Sequence, residues 1–379
     1  MSIYPLLHTT TTMKFVCTKE NLFSSLALTA RAANKTTSLP ILSNILLRAT
    51  KAGLELTATN LEVAVVTTLR GRVEKEGAVA VNARLITEAV SFFPNNQVEL
   101  DLEGTTLTLR CGKHRTIIRG VVTDDFPVIP EVVGGSEFIV SSLELKRALE
   151  RVEFAINPDE NRPEIAGVYF SAQANKLVVV GTDSYRLAES TTSQVKGSGT
   201  KQFIVPLRAA QEVVRVLDNT DEEVKLVVTE NQVAWFVGDS KVVSRLVAGQ
   251  YPDYQQIIPR EFSTNVVVGR EEFVRAVRAA SLFVRAGIND VKLSLDPGQG
   301  LMKISSANSQ LGENMDELEI KGGGGQPNEI VFNYQYLLDG LQAVGTNQVI
   351  LEVVNPNSPG VVRPDKEEGY LYIIMPIRQ

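Results

Sequence analysis

Histidine, cysteine and tryptophan are scarce in this 379-residue chain, at two, two and one. The histidines are His8, near the start, and His114, in a hairpin pattern, so a Ser/His/Asp system has no credible base. Cys17 and Cys111 show neither metal nor redox spacing, read as buried strand residues, and suit a reducing cytoplasm. No cluster of His, Cys or carboxylates stands at ligand spacing, and neither GxxxxGK[ST] nor GxGxxG occurs, so no metal and no cofactor is expected. No apolar run approaches the roughly 18 residues of a membrane span. A positive excess is missing too: the net charge of −6 argues against adhesion to nucleic acid through bulk charge.

With 44% hydrophobic and 22% charged residues, the chain has enough apolar material for real cores. The leader "MSIYPLLHTTTT" has neither the apolar core of a secretion signal nor the arginines of a transit peptide, and reads as a disordered extension over 1–12. From Met13 onward a pattern occurs three times. A strand, a turn, a strand and an Asx loop appear as "ILLRATKAGLELTATNLEVA", "VYFSAQANKLVVVGTDSYRLA" and "VKLSLDPGQGLMKISSANSQL". The loop positions Asn60, Asp183 and Asn308 are 123 and 125 residues apart. Helix candidates flank each copy, and alternating hairpins close it. Three similar α+β domains follow, at 13–131, 132–260 and 261–379, joined by proline-bearing linkers at 124–136 and 251–263. "KGGGGQP" at 321–327 lacks the Lys-Ser/Thr of a phosphate loop and reads as a flexible turn.

The loop "GTDSYRL" places an acid, a hydroxyl, a phenol and a guanidinium side by side, which looks like catalytic equipment. The repeat argues otherwise. An Asx residue recurs in every copy and can close a tight turn on its own backbone, so Asp183 reads as structural. "SYRL" is found in the middle copy alone, which marks it for a local task.

Charge is partitioned. Six helix candidates, at 19–35, 82–93, 143–156, 207–217, 270–286 and 334–344, hold thirteen Lys/Arg against nine Asp/Glu, a net of +4. The rest of the chain, at −6 overall, therefore carries −10. Basic helices beside acidic sheets would focus modest positive potential on one face, enough to tolerate a phosphate backbone without gripping it.

The segments "MKFVCTKENLFSSL", "SLPILSNILL", "TDSYRLA", "YPDYQQIIP" and "YIIMPIRQ" stand in the order found in the bacterial sliding clamp family, the beta subunit of DNA polymerase III, which the chain resembles from Met13 to Gln379. The resemblance implies a DNA clamp fold in which each domain packs two helices on antiparallel sheets. It implies a head-to-tail homodimer, six domains closing a ring, that encircles double-stranded DNA without sequence preference and confers processivity without catalysis. Implied partners are the DNA polymerase III catalytic subunit, the clamp loader complex, and other polymerases and repair proteins that dock short peptide motifs. The implied location is cytoplasmic, at the nucleoid.

By the same resemblance the peptide cleft falls on Ile165, Thr182, Ser184, Tyr185, Arg186, Leu187, Pro252, Ile257, Ile373, Ile374, Met375, Pro376, Ile377 and Arg378. Its physical signature is "IIMPI", an apolar run at an exposed chain end, in which one of Ile373 and Ile374 faces the core. Methionine suits a pocket that serves several partners. DNA-facing positions are Lys35, Arg84, Lys146, Arg147, Arg151, Arg162, Arg208, Arg215, Arg275 and Arg278. The dimer interface falls on Thr116, Ile118 and Leu282. Ser184-Tyr185 stands where Gly-His is common in the family, and Gln256 where arginine is frequent, so peptide preference is expected to differ. Two other classes fit the sequence: a scaffold or adhesion protein of repeated α+β domains, and a hydrolase centred on Asp183, Ser184 and Arg186.

Overall fold

The computed structural model describes residues 12–33, 39–159, 161–217, 222–285 and 287–378. The chain is α+β, and its repeats are stitched together by sheets that run past the ends of each copy. Contacts group it into two compact units, one from 1–143 with 211–246 and one from 144–210 with 247–379.

In the first unit, the helix α1 (Lys19–Thr29) begins at Thr18 and buries Leu22, Leu26 and Thr29 at helical spacing. It packs against α2 (Ala83–Ser91), whose Asn82 cap accepts from the Leu85 N–H at 2.9 Å. One sheet runs in the order Arg72–Lys75, Thr12–Thr18, Gln97–Glu103, Thr106–Cys111, His114–Arg119, so the last of these is an edge. In the larger sheet, Val63–Leu69 of the first repeat pairs antiparallel with Ser240–Arg245 of the second, in the register Val65↔Val242. Trp235, Phe15 and Phe138 are fully buried. Both cysteines are buried in strands as expected, and burial pushes the Cys17 thiol up to about 12.

Two further helices span the unit boundaries, α3 (Ser142–Glu150) and α4 (Leu207–Val216). The second unit holds α5 (Arg270–Ser281), with acids in its first turn and Arg278 in its last, as the helix dipole favours. It packs against α6 (Tyr334–Ala343), capped by Asn333. Gly340 of α6 rests on the Tyr372 ring, where an added Cβ would lie 2.1 Å from ring carbons. A nine-stranded sheet begins at the edge Thr200–Pro206 and continues through Gly167–Gln173, Lys176–Thr182, Arg186–Thr192 and Tyr370–Ile374. The second and third repeats join here, in the register Leu187↔Ile373. A four-stranded sheet ends at the edge Gly312–Glu319.

The glycine run corrects the expectation of a turn. Gly322–Gly325 is a strand paired with Thr264–Val267 at the other edge of the nine-stranded sheet. Gly323 and Gly325 adopt φ of +106° and +111°, and a Cβ would meet the carbonyl oxygen of Asn265 or Ser263, respectively, at 2.1 Å. Only glycine allows that approach.

Candidate functional site

The loop between Lys176–Thr182 and Arg186–Thr192 is an Asx turn. Asp183 Oδ1 accepts from the backbone N–H of Tyr185 (2.9 Å) and Arg186 (3.0 Å). Thr182 Oγ1 accepts from the Ser184 N–H at 3.1 Å and donates to the Arg186 carbonyl at 2.6 Å, while Ser184 takes a φ of +78°. The first repeat does the same. Asn60 Oδ1 accepts from Glu62 and Val63, Thr59 Oγ1 from Leu61, and Leu61 sits at +76°. In the third, Asn308 Oδ1 accepts from Gln310. Asp183 is thus a turn residue. Its other oxygen holds Arg186 Nε at 3.0 Å, and Ser184 Oγ accepts from Arg162 Nη1 at 2.8 Å.

Arg186 is a bolt. Its Nη1 donates to Asp339 of α6 at 2.5 Å and its Nη2 to the Phe154 carbonyl at 2.8 Å, with the guanidinium 4.5 Å from the Tyr336 ring centre. Cation–π contact and two carboxylates hold the charge in place. The loop tip is left free to present Tyr185, 64% exposed.

Around that tip the predicted cleft residues divide into a floor and a rim. Ile165, Leu187 and Ile373 lie in one buried cluster with Val180, Tyr251 and Leu371, and Thr182 is buried as well. Tyr185, Ile257 and Met375 are exposed, as are Ser184, Pro252 and Arg378, while Arg186, Pro376 and Ile377 are half-buried. The Met375 N–H donates to the Tyr185 carbonyl at 2.8 Å, which ties the chain end to the loop. One expectation needs correction: Ile374 is 0% exposed and Ile373 1%, because the strand Tyr370–Ile374 is central in its sheet and covered on both faces. The apolar contribution of the chain end comes from Met375 onward. Tyr336, Asp339 and the stacked pair Tyr169–Tyr251 (ring centres 4.7 Å apart) also build this face and escaped the sequence reading, since nothing local marks them.

The basic positions differ among themselves. Lys35 lies outside the described residues. Arg84, Arg147, Arg162, Arg215, Arg275 and Arg278 are exposed, and Lys146 and Arg208 are half-buried. Arg84 pairs with Glu88, Arg162 with Glu164 and Arg215 with Glu212. Arg151 contradicts its assignment as DNA-facing: it is 8% exposed, donates to Glu367 Oε1 at 2.7 Å, shares that carboxylate with Arg147, and lies over the Tyr370 ring. Burial works against the ionised Glu367, but hydrogen bonds and charge from the two arginines outweigh it and hold the carboxyl below its usual range.

Two sheet edges carry exposed apolar side chains and opposite charge. On His114–Arg119, Ile118 points into its own core at 1% exposure, Thr116 is half-buried, and Ile117 is the outward apolar residue at 53%. Arg115 and Arg119 are exposed on the same strand. On Gly312–Glu319, Met315 is 64% exposed among Glu313, Asp316, Glu317 and Glu319, and Leu282 and Leu311 are exposed in the same unit. Ile117 and Met315 are functional candidates that sequence reasoning missed. Alternation alone does not say which of Ile117 and Ile118 faces out.

Three family models match in order: the DNA polymerase III beta subunit N-terminal domain over residues 13–130, its central domain over 139–253 and its C-terminal domain over 255–378. The chain belongs to the DNA polymerase III beta subunit family. A relative from Synechococcus elongatus, named beta sliding clamp, is 32% identical over 376 residues that span 97% of this chain and 99% of the relative. A beta sliding clamp of Staphylococcus epidermidis is 28% identical over 97% of this chain and 99% of its own. Among solved structures, the DNA polymerase III beta subunit of Thermotoga maritima superposes with a TM-score of 0.91 at 30% identity, covering 97% of this chain and all of that one. A Pseudomonas aeruginosa sliding clamp bound to griselimycin gives 0.91 at 29% identity, with 97% and 100% covered. Within this beta subunit Ser184 and Tyr185 are exposed, and Gln256 donates to Asp253 at 2.8 Å. No helix among the described residues is long and apolar enough to cross a membrane.

Proposed function

We propose that this beta subunit is a sliding clamp. Two copies close head to tail around duplex DNA and tether the DNA polymerase III catalytic subunit, the clamp loader, and other polymerases and repair proteins, with no catalytic step of its own. The domains are 13–131, 132–260 and 261–379. The observation that carries the reading is the pair of unsatisfied edges: a basic strand, His114–Arg119, and an acidic one, Gly312–Glu319. An unpaired edge exposing an isoleucine or a methionine invites strand pairing. When the two edges differ, pairing between copies is heterologous, and it closes where the rotation allows. Thr116 and Ile117 with the backbone of Ile118 then meet Leu282 and Met315, and Arg115 and Arg119 meet the carboxylates.

The rim of Tyr185, Ile257 and Met375 above its buried floor suits a short apolar peptide, and loss of any of the three removes an anchor. Arg84, Arg275 and Arg278 are exposed helical cations fit to meet phosphates weakly, as sliding requires. The test is topological. With a clamp loader, ATP and nicked circular DNA, the protein is retained on circles and runs off after linearisation. Retention that survives linearisation would mean ordinary adhesion.

A further inference from the structure

A cavity of about 570 Å³ lies in the second unit, bounded by the edge strand Thr200–Pro206 and the segment Gly249–Gln255. It is within the range of ligand sites. Gln202, Phe203 and Ile204 all line it. Tyr169, Ser171 and Val178 line it too, in the cross-strand pairs Tyr169↔Ile204, Ser171↔Gln202 and Ser171↔Val178, so the cavity lies over one face of the sheet beside its edge strand. Val247 N–H donates to the Ile204 carbonyl at 2.9 Å, which shows that even-numbered residues of this strand point their backbone groups outward. The N–H and C=O of Gln202 therefore point away from Ser171, out of the sheet's edge next to the cavity, with no backbone partner among the described residues.

The opposite wall contains a second unmet group. Tyr251 is 8% exposed, its ring is stacked on Tyr169, and its hydroxyl is buried without a hydrogen-bond partner among the described residues. A buried unpaired phenol is costly, and it implies a partner that is supplied from outside. Lys176 is an exposed cation at the mouth. Below both the cavity and the cleft lies one buried cluster: Val178, Ile204 and Tyr251 reach the cavity, Ile165, Leu187 and Ile373 the cleft.

We propose that the Gln202 edge is a second peptide subsite, which takes an extended polar flank of the partner segment whose apolar anchor occupies the Tyr185–Met375 cleft. The flank adds to the sheet backbone to backbone at Gln202, places a hydrogen-bonding side chain against the Tyr251 hydroxyl, and turns a carboxylate toward Lys176. This rests on the reading of the cleft as a docking site.

Proline at position 202 provides a selective test. The Gln202 N–H makes no ladder bond, so an edge strand accepts proline there while an added strand loses its hydrogen bond. Binding of the DNA polymerase III catalytic subunit is measured by calorimetry on the dimer for Gln202→Pro, Lys176→Glu and the cleft control Tyr185→Ala. Each of the first two should weaken binding about tenfold, the effect of one lost hydrogen bond or charge contact, with the melting temperature kept. Loss in Tyr185→Ala alone overturns the subsite and leaves the cleft standing; no loss in any variant sinks both. If Gln202→Pro does not fold, Lys176→Glu decides, and unchanged affinity there refutes the proposal.

Discussion

Replacing Asp183 by alanine separates a turn residue from a catalytic one. The carboxylate accepts two backbone N–H groups and pairs with Arg186 while its side chain is only 8% exposed. Hydrogen bonds to a charged acceptor each contribute about 1.5–3 kcal/mol, and water recovers part of that at the exposed tip, so Asp183→Ala should destabilise the loop by about 2–4 kcal/mol. Asp183→Asn keeps the Oδ1 acceptor, as Asn60 does naturally, and loses only the pair with Arg186, which retains Asp339 and the Phe154 carbonyl. A loss near 1 kcal/mol is expected for it. The assay is amide hydrogen exchange at Tyr185 and Arg186, where a local loss of 2 kcal/mol speeds exchange about thirtyfold. Polymerase binding should weaken in parallel, because the rim residue Tyr185 rides on the turn. Wild-type protection in Asp183→Ala, or equal damage from Asn and Ala, would refute the account of the turn.

Ile117→Lys or Met315→Lys should convert dimers to monomers by light scattering, and the wild-type dimer should loosen as salt rises, since opposite edge charges are screened; a salt-independent dimer would contradict the pairing. Glu367→Gln leaves Arg151 buried without its carboxylate and should cost about 3–5 kcal/mol in urea unfolding. Because the folded Glu367 carboxyl titrates below its unfolded value, near 4.3, its contribution is complete above that pH and is lost as pH falls through the folded value; the Gln variant should show a flatter acid limb. Gly340→Ala drives a methyl into the Tyr372 ring and should lower stability by about 1–3 kcal/mol, checked by calorimetry; an unchanged melting temperature would mean that the ring yields freely.

The threefold pattern was legible because Asn60 and Asp183 close the same local turn and Asn308 likewise accepts from the backbone two residues on, and local hydrogen bonding leaves a mark at fixed spacing. Tyr185 and Met375, proposed as rim residues and both exposed, were singled out through the family's motifs. Long-range features left no such mark. Arg151 has the helical spacing of a solvent-facing cation, and only Glu367, 216 residues away, turns it inward. Ile374 has the alternation of a one-sided strand, and only the sheet's second covered face buries it. The glycine run looked like a turn because strand formers are absent; its strand character is imposed by the partner Thr264–Val267.

That bare strand has a mechanical implication. With no side chains, Gly322–Gly325 has nothing to tell one face from the other, so the force that fixes sheet register elsewhere is missing. Its ladder with Thr264–Val267 is continued at both ends, by Lys321 N–H on the Val267 carbonyl (2.7 Å) and Gln326 N–H on the Ser263 carbonyl (3.0 Å). A ribbon held by backbone bonds alone, with no side chain to key its register, makes this border of the sheet the natural place for the fold to take up slack.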